Sequence, residues 1–159
     1  MIHPYDESRR EDVGEFLLRQ RVFASLNRQT PEAFRDENLT DFEADGTVSL
    51  VFEERGIIAV ADLLKQHPVD GSLWLGLFMV DERLYGTGIA TRLYEQLEHV
   101  YMRPFQTVFR LGVLPHNERA RRFWERQGYV YEKGSVTTRG DRVHVMKKIV
   151  EGKARSDRG

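Results

Sequence analysis

The stretch that most constrains this chain runs from Leu73 to Leu97, LWLGLFMVDERLYGTGIATRLYEQL. Leu73 to Val80 is short and almost wholly apolar, the pattern of a strand covered on both faces. Gly86 and Gly88 flank Thr87, and without a Cβ the backbone at both can approach a ligand closely and take positive φ. Ile89, Leu93, Leu97 and Val100 then recur near helical spacing, which puts the first turn of a helix at Gly86 to Thr91. A helix start carries unpaired N–H groups and the positive end of the peptide dipole. A strand that feeds a glycine loop into a helix therefore reads as a phosphate cradle.

Several loop types compete for that reading. A nucleotide-hydrolysing loop ends in Gly-Lys-Ser/Thr, and Gly86-Thr87-Gly88-Ile89-Ala90-Thr91 has no lysine, which excludes it. A dinucleotide fingerprint needs a third glycine or alanine where Thr91 stands, a place in the first strand–helix unit, and an acidic residue ending the next strand. Here the loop lies mid-chain, and the next apolar segment, Gln106 to Val113, ends without a carboxylate. The plain structural alternative is a left-handed turn with tight helix packing and no ligand.

The rest of the chain supplies the frame. Ile2 to Tyr5 reads as an edge strand, since Pro4 is tolerated there. Asp6 or Ser8 caps a helix carrying Val13, Phe16, Leu17 and Phe23, expected to run to about Arg21. Thr30-Pro31-Glu32 opens a second, short and polar helix to about Asn38. Ala24 to Asp45 is expected to be the least regular part of the chain, a place for substrate contacts. Thr47 to Glu53 and Gly56 to Lys65 form an antiparallel hairpin across Glu54-Arg55-Gly56, with Val48, Leu50 and Phe52 alternating against Ser49, Val51 and Glu53. Pro104 breaks the central helix, Gln106 to Val113 is a strand, and Glu118 to Gln127 is a helix closed by Gly128. Tyr129 to Thr138 and Arg142 to Ile149 make a final hairpin across Arg139-Gly140-Asp141. The order β-α-α-β-β-β-α-β-α-β-β predicts one α/β domain over residues 1–150, with a mixed sheet and helices on its faces. Residues 151–159 are charged and small and are expected to be a disordered tail.

With 159 residues and a net charge of −1, nothing global points to nucleic acid or an anionic membrane. The absence of cysteine removes disulfides, thiolate nucleophiles and cysteine metal sites, and fits a reducing cytoplasm. No apolar leader opens the sequence and no run approaches spanning length, so the expectation is a soluble cytoplasmic protein. His3, His67, His99 and His144 are dispersed without metal-ligand spacing, and no metal is expected.

Two separated motifs then carry a resemblance. Tyr85-Gly86-Thr87-Gly88-Ile89-Ala90 is similar to the acetyl-CoA loop Arg/Gln-x-x-Gly-x-Gly/Ala of the GCN5-related N-acetyltransferase (GNAT) superfamily. Downstream, Leu111-Gly112-Val113, Asn117, Ala120, Phe123-Trp124 and Gly128-Tyr129 resemble the second signature of that family. The resemblance covers about Ile2 to Val150 and is strongest from Leu73 to Tyr131. It implies a mostly antiparallel central sheet with a splayed pair of strands, and a cosubstrate, acetyl-CoA. It implies further that the coenzyme pyrophosphate lies on Tyr85, Gly86, Thr87, Gly88, Ile89, Ala90 and Thr91. The pantetheine would pair with the edge Phe78-Met79-Val80 and bond to Asn117, with Phe123 and Trp124 lining the thioester channel. Asn117 is equally a good helix N-cap and Phe123 plain core.

There are two departures from the pattern. Tyr85 stands where Arg or Gln is usual, and Arg83 is near enough to supply the charge. Trp124 stands where many members carry a tyrosine that protonates the leaving thiolate, and an indole N–H is no practical acid. The expected reaction is acetyl transfer to a primary amine in a ternary complex; the alternative is an acyl-CoA-binding sensor or structural module with little turnover. An amine titrates near ~10.4, so a base or a water chain must deprotonate it. His116 is a candidate base, as are Asp62 and Glu53, and Tyr129 or Tyr131 could replace the missing acid. A backbone N–H of Met79 or Val80 could polarise the thioester carbonyl. Arg119, Arg121, Arg122 and Arg126 either meet the coenzyme 3′-phosphate or form a solvated face balanced by Glu118 and Glu125. The partner is a small-molecule or peptide amine, with homodimerisation through the C-terminal strands a further expectation.

Overall fold

The structure, a computed structural model, describes residues 1–151. Strand β1 (Ile2–Pro4) pairs antiparallel with β2 (Val48–Glu53), which pairs antiparallel with β3 (Ile57–Leu64). The apolar segment Leu73–Val80 is β4; β5 (Val108–Val113), β6 (Val130–Val136) and β7 (Arg142–Ile149) follow. Helices α1 (Arg10–Leu18), α2 (Arg21–Leu26) and α3 (Pro31–Phe42) lie between β1 and β2 in the chain. Helix α4 (Ile89–Leu97) follows β4 and α5 (Glu118–Arg126) follows β5. The strands form one seven-stranded sheet in the order β1-β2-β3-β4-β5-β7-β6. The chain is thus a single α/β domain with a mostly antiparallel mixed sheet, as its motif order implies.

Strands β4 and β5 form a parallel pair. Its ladder covers Leu73↔Phe109 and Trp74↔Arg110 and stops there, and Gly76, next on β4, is exposed. By contrast β5 and β7 pair from Val108↔Ile149 through Val113↔His144. Packing divides at this point of β4: Met1–Leu64 and Leu77–Gln96 make one compact unit, and Lys65–Gly76 with the chain from Leu97 makes another.

In the first unit β2 is buried on both faces. Val51 lies in a cluster with Val60, Met79 and the inner faces of α1 and α3, Val13, Phe16, Leu17, Phe34 and Leu39. Phe52, pointing the other way as the next residue must, meets Phe78 edge-on at 5.9 Å, and Phe78 meets Tyr94 of α4 at 6.0 Å. Helices therefore cover both faces of this part of the sheet. The alternation expected for β2 is weaker than its burial, since Ser49 is also enclosed and donates to Asp62 Oδ1 at 2.9 Å. The second unit packs Phe109, Leu111, Val113, Val145 and Met146 with Trp124 and Tyr129 in its interior.

Three expectations need correction. The first helix does not run to Arg21: Asp6 caps a single 3-10 turn, α1 ends at Leu18, and α2 is separate. Ala24 to Asp45 is largely helical, because Thr30 caps α3 through Ala33 N–H at 3.1 Å and the helix continues past Asn38 to bury Leu39 and Phe42. Val100 is not on the buried stripe. The chain passes from α4 into a π-helical turn, Glu98–Met102, whose wider winding turns Val100 to solvent and buries Met102 instead. No helix among the described residues is long and apolar enough to cross a membrane. Of the expected disordered tail, residues 151–159, all but Glu151 lie outside the described residues.

Candidate functional site

The glycine loop is built outward from the end of β4. Asp81 N–H still reaches the sheet, donating to Ile58 O at 2.8 Å. Its side chain then caps a single 3-10 turn, Glu82–Leu84, by accepting from Arg83 N–H at 3.1 Å, while Leu84 N–H donates to Asp81 O at 2.9 Å. Tyr85 leaves that turn extended, and Gly86 and Gly88 follow at φ 81° and 83°. A side chain at either glycine would be strained, yet nothing lies within 4 Å of where its Cβ would be. The space beside the loop is open, as a ligand cradle requires.

Thr87 stiffens the loop: its Oγ1 donates to Leu84 O at 2.6 Å and accepts a long bond, 3.4 Å, from Ile89 N–H. Among the described residues the N–H groups of Gly86 and Gly88 take no protein acceptor. Helix α4 starts at Ile89, so these donors sit at its positive end. Gly86, Thr87 and Gly88 are exposed, and Tyr85, Ile89, Ala90 and Thr91 are half-buried.

Arg83 is held rather than free. Its guanidinium meets Asp81 Oδ2 at 2.7 and 3.1 Å, and Arg19 of the α1–α2 corner reaches the same oxygen at 3.3 Å. Burial alone would raise the Asp81 pKa, but the bonds from Arg83 and Arg19 outweigh it and hold the carboxyl below the usual range. Arg83 is nevertheless 68% exposed, so it still presents charge beside the loop. On β4, Phe78 is half-buried between two rings, while Met79 and Val80 are buried.

The second signature lies in the second unit. Asn117 is the N-cap of α5, its Oδ1 accepting from Ala120 N–H at 3.1 Å, so the capping reading is realised. Phe123 and Trp124 meet edge-on at 4.8 Å, and Trp124 packs on Tyr129 at 5.4 Å. Both Trp124 and Tyr129 are buried; Tyr131 and His116 are exposed. Gly128 closes the helix at φ 98°. Arg121 and Arg122 bond to Glu118 at 3.1 and 3.4 Å, which favours the solvated-face reading of that arginine run.

The two carboxylate candidates differ. Glu53 is gripped by Arg9 at 2.6 and 2.9 Å and by His3 Nε2 at 2.8 Å, and the Arg9 bonds chiefly hold its pKa down at about 2. A carboxylate so acidic and so fully engaged makes a poor base at neutral pH. Asp62 has the opposite character: burial raises its pKa, against the bond from Ser49. Among the described residues no group of three His, Asp or Glu side chains gathers as a metal site. An open depression lined by Tyr5, Asp6, Glu7, Arg10, Phe42 and Glu43 holds none of the expected cofactor residues.

Sequence reasoning missed the anchoring of the loop from α1 and α2. Gln20, wholly buried, accepts from Glu82 N–H at 2.9 Å, and Val22 N–H donates to Glu82 Oε2 at 3.0 Å. These partners lie some sixty positions apart in the chain, and no local pattern announces them.

Comparison with known proteins agrees with this geometry. A profile described as the acetyltransferase (GNAT) family matches residues 18–129. Among solved structures the chain is similar to an acetyltransferase from Thermus thermophilus, at TM-score 0.79 and 16% identity, covering 94% of this chain and 96% of that one. It is similar to an aminoglycoside 6'-N-acetyltransferase complexed with coenzyme A, at 0.69 and 15%, covering 95% and 97%. It is also similar to a spermidine N-acetyltransferase chimera from Vibrio cholerae and hSSAT, at 0.67 and 14%, covering 94% of each. No curated protein sequence matches. The glycine loop, the strand order and a profile match over most of the length converge on one conclusion: the chain belongs to the acetyltransferase (GNAT) family.

Proposed function

We propose that this protein is an N-acetyltransferase that moves the acetyl group of acetyl-CoA directly to a primary amine within a ternary complex. The observation that carries the reading is the loop itself. Gly86 and Gly88, both at positive φ with open space beside them, offer unshared N–H groups at the head of α4 in a chain of this family. A pyrophosphate there would accept from those donors and gain from the helix dipole. Arg83 adds charge, while Tyr85, Thr87, Ile89, Ala90 and Thr91 shape the rim. By family analogy, Phe78, Met79 and Val80 align the pantetheine, and Asn117, Phe123 and Trp124 contact it nearer the thioester.

The neutral amine nitrogen attacks the thioester carbonyl carbon, the C–S bond breaks, the nitrogen gives up a proton to become the amide, and coenzyme A leaves as thiolate that takes up a proton. A backbone N–H of Met79 or Val80 would stabilise the oxyanion. His116 is proposed to relay the proton from the incoming ammonium, its exposure letting it exchange with water. Tyr129 is proposed as the proton source for the thiolate, since it packs directly against Trp124. Aminoglycoside and spermidine acetylation belong to the structural neighbours. They support a primary amine as acceptor class here, with no particular amine preferred. A cytoplasmic location and a homodimer are part of the same proposal, the latter supported by exposed Val130, Tyr131 and Val136 on β6 and Ile149 on β7.

One observation favours a second reading, an acyl-CoA-binding module with little turnover: Trp124 occupies the place of the usual acid and is buried in ring contacts. A panel of primary amines assayed with acetyl-CoA for thiol release separates the two. Release with at least one amine supports the enzyme; coenzyme binding without release against any amine leaves the module. No stabilisation by coenzyme A removes both.

A further inference from the structure

Two side chains in the first unit are wholly enclosed and polar: Gln20 at the corner between α1 and α2, and Asp81 at the end of β4. Burying such groups costs stability unless they are hydrogen-bonded, and here both are. Gln20 Nε2 donates to Phe16 O of α1 at 3.0 Å, and its Oε1 accepts from Glu82 N–H at 2.9 Å. Asp81 takes Arg83 on one side and Arg19, the neighbour of Gln20, on the other. Glu82 returns the contact by accepting from Val22 N–H at the start of α2. The corner Arg19–Gln20–Arg21–Val22 and the turn Glu82–Leu84 are thus cross-linked by a backbone donor from each side and by an ion pair. The turn is the base on which Tyr85 to Gly88 stands.

We infer that Gln20 and Asp81 are positioning residues for the coenzyme loop, and that through them the α1–α2 corner is ordered when coenzyme binds. This rests on the acetyltransferase reading of the loop. Gly86 and Gly88 have nothing beyond their chain neighbours within 4 Å of a Cβ position, and Thr87 bonds to its own loop and helix start. The direction of the Gly86 and Gly88 N–H groups therefore follows the turn on which the loop stands, and the turn is fixed to the corner through Gln20 and Asp81. Because linkage is reciprocal, a ligand that fixes the loop must also stabilise what holds it.

The test compares three variants with the wild type by calorimetric titration of coenzyme A and by hydrogen exchange with and without it. Gln20→Met keeps the volume and removes both bonds; its coenzyme Kd is expected to rise about tenfold or more. Leu39→Ala is a core variant in α3 whose side chain takes no part in the bonds between corner and turn; it should lower the melting temperature while leaving the Kd unchanged. Glu82→Ala keeps the backbone bond to Gln20 and loses only the bond to Val22. It should bind coenzyme nearly as well as the wild type but show reduced coenzyme-induced protection of the Val22 amide. The inference is overturned if Gln20→Met binds coenzyme like the wild type, or if its loss is matched by Leu39→Ala at equal destabilisation. It is overturned too if coenzyme leaves exchange at residues 19–22 unchanged in the wild type. Failure of the wild type to bind coenzyme at all instead removes the acetyltransferase reading. Should Gln20→Met not fold, Asp81→Asn gives the same Kd comparison, since it is nearly isosteric and weakens only the two arginine bonds.

Discussion

Gly88 sits at φ 83° with open space where a Cβ would stand, so the cost of a side chain there is conformational and not steric. Forcing a left-handed backbone on alanine costs about 1–2 kcal/mol, offset in part by about 0.4–1 kcal/mol from a less flexible unfolded chain. Gly88→Ala is therefore expected to lower the melting temperature by only about 2–4 °C. Its methyl group would nevertheless project beside the donors proposed to hold pyrophosphate. Coenzyme titration should show a loss of affinity about tenfold or greater, well beyond the small stability change. An unchanged Kd would mean the loop does not hold the coenzyme. Glu53 offers a different residue-scale test. Its pKa is about 2 in the folded chain against an ordinary 4.5, chiefly through Arg9. A depressed carboxylate stabilises the fold above its unfolded value and loses that contribution as pH falls towards the folded one. Glu53→Gln should melt below the wild type at neutral pH, with the gap narrowing between pH 4.5 and about 2. Since the pair is partly exposed, added salt should shrink the neutral-pH gap as well. A gap independent of pH would assign the stabilisation to packing instead.

Elements differed in how much of themselves they revealed. Strands β4 and β5, helix α5 and the last hairpin follow short-range rules: an apolar run, an Asn cap with glycine closure, a Gly-Asp turn. Those rules are local, and they held to within a residue or two. The conformation of the glycine loop was legible for the same reason, because glycine spacing encodes backbone conformation directly. What stayed hidden depended on partners distant in the chain. Helix α3 outran its polar surface because Leu39 and Phe42 found a core to enter. The π-turn after α4 was invisible because no short-range pattern announces it; its first residue, Glu98, is a buried charge met by Arg103 and by Lys148 of β7, both at 2.7 Å. Widening the helix at Glu98–Met102 brings Leu97 and Met102 inward together, five residues apart, where an α-helix would have brought Val100. Removing the carboxylate tests those ion pairs. Glu98→Ala leaves Lys148, itself largely buried, without its partner, and is expected to cost about 3 kcal/mol. Thermal melts should fall by about 6–12 °C. A loss under about 1 kcal/mol would mean Arg103 and Lys148 simply turn to solvent.

At the scale of the whole molecule, the two signatures fall in different compact units, with β4 belonging to both. The loop that carries the unshared N–H groups is part of the first; Asn117, Phe123, Trp124 and Tyr129 are part of the second. The chain has no cysteine to take the acetyl group as a thioester. Serine, threonine or lysine nucleophiles need an adjacent activating base, and none of the residues proposed for the reaction is such a nucleophile. The proposed transfer with both substrates bound is something steady-state kinetics can decide without knowledge of the chemical step. Varying acetyl-CoA at several fixed concentrations of an accepted amine should give double-reciprocal lines that intersect. Parallel lines would require an acetylated enzyme released from coenzyme before the amine arrives, and would overturn direct transfer. The same data bear on the proton inventory. If no strong base acts, kcat/KM for the amine should rise with pH roughly in step with the neutral amine fraction, up to the amine's own pKa near ~10.4. If His116 takes the amine proton, as proposed, kcat/KM should depart from that neutral-amine profile, and His116→Ala should restore it while leaving coenzyme affinity intact.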